Sequence, residues 1–96
     1  MAKVYWVACY REISDPDKLA AYGKIAVPAI IAGGGNVLAR GVAAYAFEHG
    51  LKERTVLIEF ADMAAALATH ESPAYKEALV ALDGGAVRDL RFIEGV

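Results

Sequence analysis

The chain has 96 residues, 57% of them hydrophobic, with 12 acidic and 10 basic side chains; that is room for one domain, residues 1–96. A net charge of −2 without a basic block argues against a nucleic-acid surface. No stretch approaches the roughly 20 apolar residues that cross a bilayer.

The lone cysteine, Cys9, cannot form an internal disulfide, and its place in an apolar run predicts a buried thiol. That run, Val4 to Tyr10, stops at Arg11-Glu12 and is too short for a secretory leader, so the expected location is cytoplasmic.

In chain order, Val4 to Tyr10 is rich in β-branched and aromatic residues and predicts the first strand. Its two faces are both apolar, Tyr5, Val7 and Cys9 on one and Val4, Trp6, Ala8 and Tyr10 on the other. Both sheet faces are therefore expected to be covered. Asp15 before Pro16 and Asp17 marks a helix start, and Leu19, Tyr22, Ala26 and Ile30 make one apolar stripe along it. Pro28 is expected to kink the helix or bend its last turn, and Gly33-Gly34-Gly35 to end it.

Asn36 to Arg40 is a short strand. Ala44 to Glu48 is either its own strand or the distal part of that one, and Arg54 to Phe60 is the clearest strand of all. Asp62 caps a helix from Met63 to Thr69, Ser72-Pro73 opens another from Ala74 to Leu82, and Val87 to Ile93 closes the chain as a strand. The order β-α-β-β-α-β predicts an α+β, ferredoxin-like fold, a four-stranded antiparallel sheet with helices on one face. No sequence remains to cover the second apolar face, so a second copy of the chain is the economical cover, and a homodimer is expected.

Chemistry-bearing motifs are few. His49 and His70 belong to no metal-binding pattern, and neither a metal nor a cofactor is expected. The glycine run lacks a following Lys-Ser/Thr and ends a helix, which makes it a turn and not a phosphate loop. Ser14 and Ser72 read as helix caps.

Glu59 interrupts the apolar strand Val56 to Phe60 and shares a face with Thr55 and Leu57. A carboxylate placed there either rises in pKa, which suits acid–base work, or pairs with an arginine such as Arg40, Arg88 or Arg91. Glu48 stands at the rim of the same region or in a solvated turn. Five tyrosines are present, of which Tyr22 and Tyr75 fall at helix-stripe positions, where core packing is the first reading.

Gly34-Gly35 after an alanine-rich helix, Arg40, Glu48 before a glycine, Glu59-Phe60 and Ser72-Pro73-Ala74-Tyr75 together resemble the DUF1330 family, small bacterial proteins of unknown function. The resemblance covers nearly the whole chain. It implies a dimeric α/β barrel in which two ferredoxin-like sheets face each other. It also implies that Tyr22, Gly34, Gly35, Arg40, Glu48, Glu59, Ser72 and Tyr75 are characteristic positions. Thr69 and His70 depart from it, falling where such proteins often carry aromatic residues, and His49 intervenes between Glu48 and Gly50. The superfamily of such barrels looks to include cofactor-independent oxygenases, lactone isomerases and dehalogenating enzymes.

Three readings follow. In the first, a small, mostly apolar organic acid or phenol is bound or converted in a cleft between sheet and helices. Glu59 is then the acid–base group, and Tyr22, Gly34, Gly35, Arg40, Glu48, Ser72 and Tyr75 are ligand contacts. In the second, the protein is a structural or regulatory homodimer without chemistry. The third, an RNA-recognition fold, is opposed by the acidic balance.

Overall fold

The structure, a computed structural model, describes residues 2–96. Seven elements follow in order: β1 (Val4–Ile13), α1 (Pro16–Ala32), β2 (Asn36–Val42), β3 (Arg54–Phe60), α2 (Met63–His70), α3 (Pro73–Leu82) and β4 (Ala86–Glu94). Capping side chains set each helix start. Asp15 Oδ1 accepts from the backbone N–H of Asp17 and Lys18 at 3.1 and 3.2 Å. Asp62 Oδ1 accepts from Ala65 N–H at 2.8 Å, and Ser72 Oγ from Tyr75 N–H at 3.2 Å. These bonds satisfy amides that have no partner within the helix.

The four strands form one antiparallel sheet in the order β2-β3-β1-β4. This is the ferredoxin-like arrangement, with β1 hydrogen-bonded on both sides. Alternation along β1 sends Val4, Trp6, Ala8 and Tyr10 to the helix side, where each is at most 3% exposed. Trp6 is the hub of the core, with ring centroids of Phe92, Tyr75, His70 and Phe60 at 5.0, 5.1, 5.6 and 6.0 Å. His70 joins that cluster from the end of α2, while Thr69 is buried and donates from Oγ1 to Ala65 O at 2.9 Å. The two positions that depart from the family resemblance thus hold one imidazole packed among aromatic rings and one hydroxyl satisfied within its own helix.

Several expectations need correction. Cys9 is exposed, because β1 alternation turns it to the face away from the helices, and no element of this chain covers that face. Ala44 to Glu48 forms no strand. It is an irregular arm in which Tyr45 and Phe47 are 80% and 77% exposed, and Glu48 turns the chain with φ 54°. The helix α1 continues through the exposed Pro28 to Ala32, and the Lys24 carbonyl that the proline leaves without a helical donor can turn to water.

Gly33-Gly34-Gly35 ends α1 as expected. Gly34 adopts φ 93°, a conformation that favours glycine, and Gly35 N–H closes the turn onto Ile30 O at 2.8 Å. A Cβ on Gly35 would lie 2.5 Å from Ile30 Cγ2, 2.9 Å from the Ile30 carbonyl and 2.9 Å from the buried Phe60 ring. Gly35→Ala is therefore expected to destabilise the protein by about 1–3 kcal/mol. Thermal denaturation should show a fall in Tm of roughly 5–15 °C; an unchanged Tm would mean that the turn shifts freely and does not lock β2 to α1.

Candidate functional site

α1 packs against α3 and stands off the β2 end of the sheet. The gap is an apolar cleft of about 60 Å³, walled by Trp6, Ala26, Ile30, Val37 and Ile58. Gly23, in the middle of α1, faces this space, and a Cβ built there meets nothing within 4 Å.

At the open end of the cleft stand three arginines, Arg40 from β2, Arg54 from β3 and Arg88 from β4. They come together because strand alternation and strand order coincide. Arg54 lies on the helix side with Val56, Ile58 and Phe60, and Arg88 with Leu90 and Phe92. Arg88 is directly opposite Tyr10, and Arg40 is opposite Val56, two residues from Arg54. The Arg54 and Arg88 guanidiniums sit 5.8 and 5.6 Å from the centroid of the buried Tyr10 ring, within cation–π range. Among the described residues, no aspartate or glutamate lines the cleft. Among the described residues, none of the three arginines takes part in an ion pair.

The guanidiniums differ in how they are satisfied. Arg88 donates from Nη1 to Tyr22 Oη at 3.0 Å and from Nη2 to Tyr75 Oη at 3.4 Å. The two tyrosine hydroxyls share a hydrogen bond of 2.8 Å, and the Arg88 guanidinium lies 4.9 Å from the Tyr22 ring centroid. Arg54 Nε, by contrast, is buried without a hydrogen-bond partner. Arg40 is exposed at the mouth.

Burial pushes the Tyr22 phenol well above its ordinary range, and the neighbouring Tyr75 adds to this against a smaller opposing effect of Arg88. Burial works against the charge on Arg88, but the two facing tyrosine oxygens outweigh it and the guanidinium is held charged. The cluster is thus a hydrogen-bonded phenol pair holding a fixed cation at the edge of an apolar space.

The residues singled out in the sequence divide into groups. Tyr22 and Arg40 line the cleft, and Tyr75, wholly buried, fixes Tyr22 and Arg88 from behind. Ser72 belongs to the cap of α3, Gly34 and Gly35 form the turn into β2, and Glu48 sits on the exposed arm. Glu59 lies outside the cleft. The strand turns it to the opposite face, where it accepts from Lys3 Nζ at 3.1 Å and from Tyr5 Oη at 3.4 Å. Its cation is a lysine and none of the arginines anticipated, since Arg40 and Arg88 point to the helix side and Arg91 is held by Asp89 at 3.0 Å.

Arg54, Arg88 and Gly23 were not anticipated as site residues, and Tyr10 only as one of five tyrosines able to line a pocket. The available signal was parity: Arg54 and Arg88 occupy core-facing positions of their strands, where a cation needs a reason.

The model of the domain of unknown function DUF1330 matches residues 3–96. The chain belongs to the DUF1330 family. Among solved structures, this DUF1330 chain is similar to a protein of unknown function from Rhodopseudomonas palustris (TM-score 0.74, 21% identity, 99% of this chain and 83% of that one). It is similar also to a cofactor-independent oxygenase, SnoaB, from Streptomyces nogalater (TM-score 0.69, 12% identity, 100% and 95%). A third relative in shape is a dimeric ferredoxin-like protein of unknown function from Thermobifida fusca (TM-score 0.65, 18% identity, 98% and 92%). At these identities the likeness is one of fold. No curated protein matches the chain.

The buried phenol leads to a test. In the unfolded chain a tyrosine releases its proton near pH 10, whereas folded Tyr22 keeps its proton to a higher pH. The stability this confers is whole below about pH 10 and declines as the pH rises further. Absorbance titration at alkaline pH should leave at least one of the five tyrosines silent until the fold is lost. Tyr22→Phe should remove that silent one; all five titrating in the folded protein would refute the assignment.

Proposed function

We propose that this DUF1330 protein binds a small organic acid in the cleft between α1 and the sheet, without a cofactor, its carboxylate meeting the arginine row and its apolar part entering between Trp6, Ala26 and Ile58. The observation that supports this is three guanidiniums without a counter-carboxylate at the mouth of an apolar space. Charges brought together in a partly dry cleft cost free energy that an anionic ligand recovers, and guanidinium–carboxylate pairs give orientation as well.

The size of the cleft favours one class of acid. An apolar cavity of about 150 Å³ takes up benzene, whereas this one is about 60 Å³. A short aliphatic acid therefore suits it better than the phenolic ligand also considered. The hydroxyl placed to exchange a proton with a bound acid is that of Tyr22, which lines the cleft with Tyr75 hydrogen-bonded behind it, and not the carboxyl of Glu59 on the other face. The cofactor-independent oxygenase of the same fold is a precedent for such an economy of parts.

A second reading, a non-catalytic homodimer, is favoured by the sheet face turned away from the helices, which exposes Cys9 and Ile93 beside Tyr5, Val7 and Leu57. The Thermobifida fusca protein of this fold is described as dimeric. Light scattering on the purified chain should give twice the chain mass, and Leu57→Asp should halve it. A wild-type monomer at micromolar concentration would remove this reading and leave the ligand cleft untouched.

The first reading is tested by thermal shift with four- to six-carbon aliphatic acids, comparing the wild type with Gly23→Leu. A ligand at 100 times its Kd adds about 2.7 kcal/mol, roughly 10 °C for a chain of this size. Gly23→Leu fills the cleft from the helix side without touching an arginine. It should keep the fold and lose the shift, while Glu59→Gln should keep both. A shift that survives in Gly23→Leu would place binding elsewhere.

A further inference from the structure

The cations in the cleft outnumber what a single carboxylate can neutralise. Arg40, Arg54 and Arg88 all line it, and among the described residues no acidic side chain does. One bound carboxylate leaves two positive charges facing each other across a cleft with a buried apolar floor.

The three are not equivalent partners. Arg88 is already engaged by Tyr22 and Tyr75 and acts as a fixed positive charge more than as a free hand. Arg54 has a buried Nε with no hydrogen-bond partner among the described residues. Arg40 is exposed on the edge strand and free to swing. Because Arg40 pairs with Val56 across β2 and β3, Arg40 and Arg54 are diagonal neighbours on one face. Their side chains are rooted about 7–8 Å apart, so they can lean together onto two acid groups of one small molecule.

Resting on the acid-binding reading, we infer that the ligand is a dianion, a short-chain dicarboxylate with an alkyl substituent, whose two carboxylates are taken by Arg40 and Arg54 under the standing charge of Arg88. Inorganic phosphate carries similar charge but would leave the space between Trp6, Ala26 and Ile58 unfilled.

Calorimetric titration of the full chain with propylmalonate, pentanoate and inorganic phosphate tests this, since the first two share a propyl-bearing skeleton and differ by one carboxylate. Propylmalonate should bind at least about tenfold more tightly than pentanoate, the worth of one charge-assisted hydrogen bond. Raising the salt concentration should narrow the gap. Arg54→Gln and Arg40→Gln should each weaken propylmalonate more than pentanoate and so narrow the gap between the two acids; a gap that stays as wide in both variants overturns the pairing. Arg40 is exposed, so its variant reports even where Arg54→Gln folds poorly. Equal affinity for the two acids overturns the dianion and leaves the acid-binding reading standing. Phosphate binding as tightly as propylmalonate overturns the role given to the alkyl group, and with it the proposal. Heat from none of the three overturns this inference and the acid-binding reading together.

Discussion

Two phenols and a guanidinium hold the helical layer to the sheet. The Tyr22–Tyr75 hydrogen bond joins α1 to α3, and Arg88 on β4 donates to both hydroxyls from below. Without it, the charge on Arg88 and two buried hydroxyls would lack partners in an apolar layer, each a substantial cost. The same three groups keep one wall of the cleft in place. Rigidity and open space at the middle of α1 are thus two results of one arrangement: Tyr22 ties the helix to α3 and Arg88, while Gly23 beside it leaves the cleft open.

The sheet separates two chemical surfaces that a one-dimensional reading tends to merge. On the helix side, cations stand against aromatic and aliphatic groups. On the other side, acids and bases are matched within hydrogen-bond distance, Glu59 with Lys3 and Asp89 with Arg91. The Arg91 guanidinium beside it, by its hydrogen bond above all, holds the Asp89 carboxyl below the usual carboxylate range. The three arginines of the cleft, by contrast, have no ion-pair partner among the described residues.

The fold was legible because its signals are local. Asp15-Pro16, Asp62 and Ser72-Pro73 place helix starts through backbone capping, and the period-two pattern of β1 and β3 places the sheet. The candidate site was less legible. Glu59 drew notice as the lone charge in an apolar strand, yet the face opposite its neighbours Ile58 and Phe60 is the uncovered one, where a carboxylate with a lysine beside it is at ease. Arg54 and Arg88 are the true exceptions in their strands. Arg54 was read only as the start of its strand and Arg88 only as a possible partner for Glu59, because each stands near a strand end, where a charge is unsurprising until parity is counted. Ala44 to Glu48 has strand-like composition but no strand to pair with, since β2 and β3 exhaust their pairing at Val42 and Arg54.

A glycine in the middle of a long helix is usually a weakness, since it loosens the helix relative to alanine. Gly23 has no turn to make and no close neighbour to avoid, and the space it leaves is the space of the cleft. The helix therefore works as an adjustable stop. Each methyl or larger group placed at this one position would shorten the molecule that fits, while the arginines on the far side continue to select for charge. Length and charge are discriminated by different walls, so a change of preferred chain length needs one substitution in α1 and no rebuilding of the anion site.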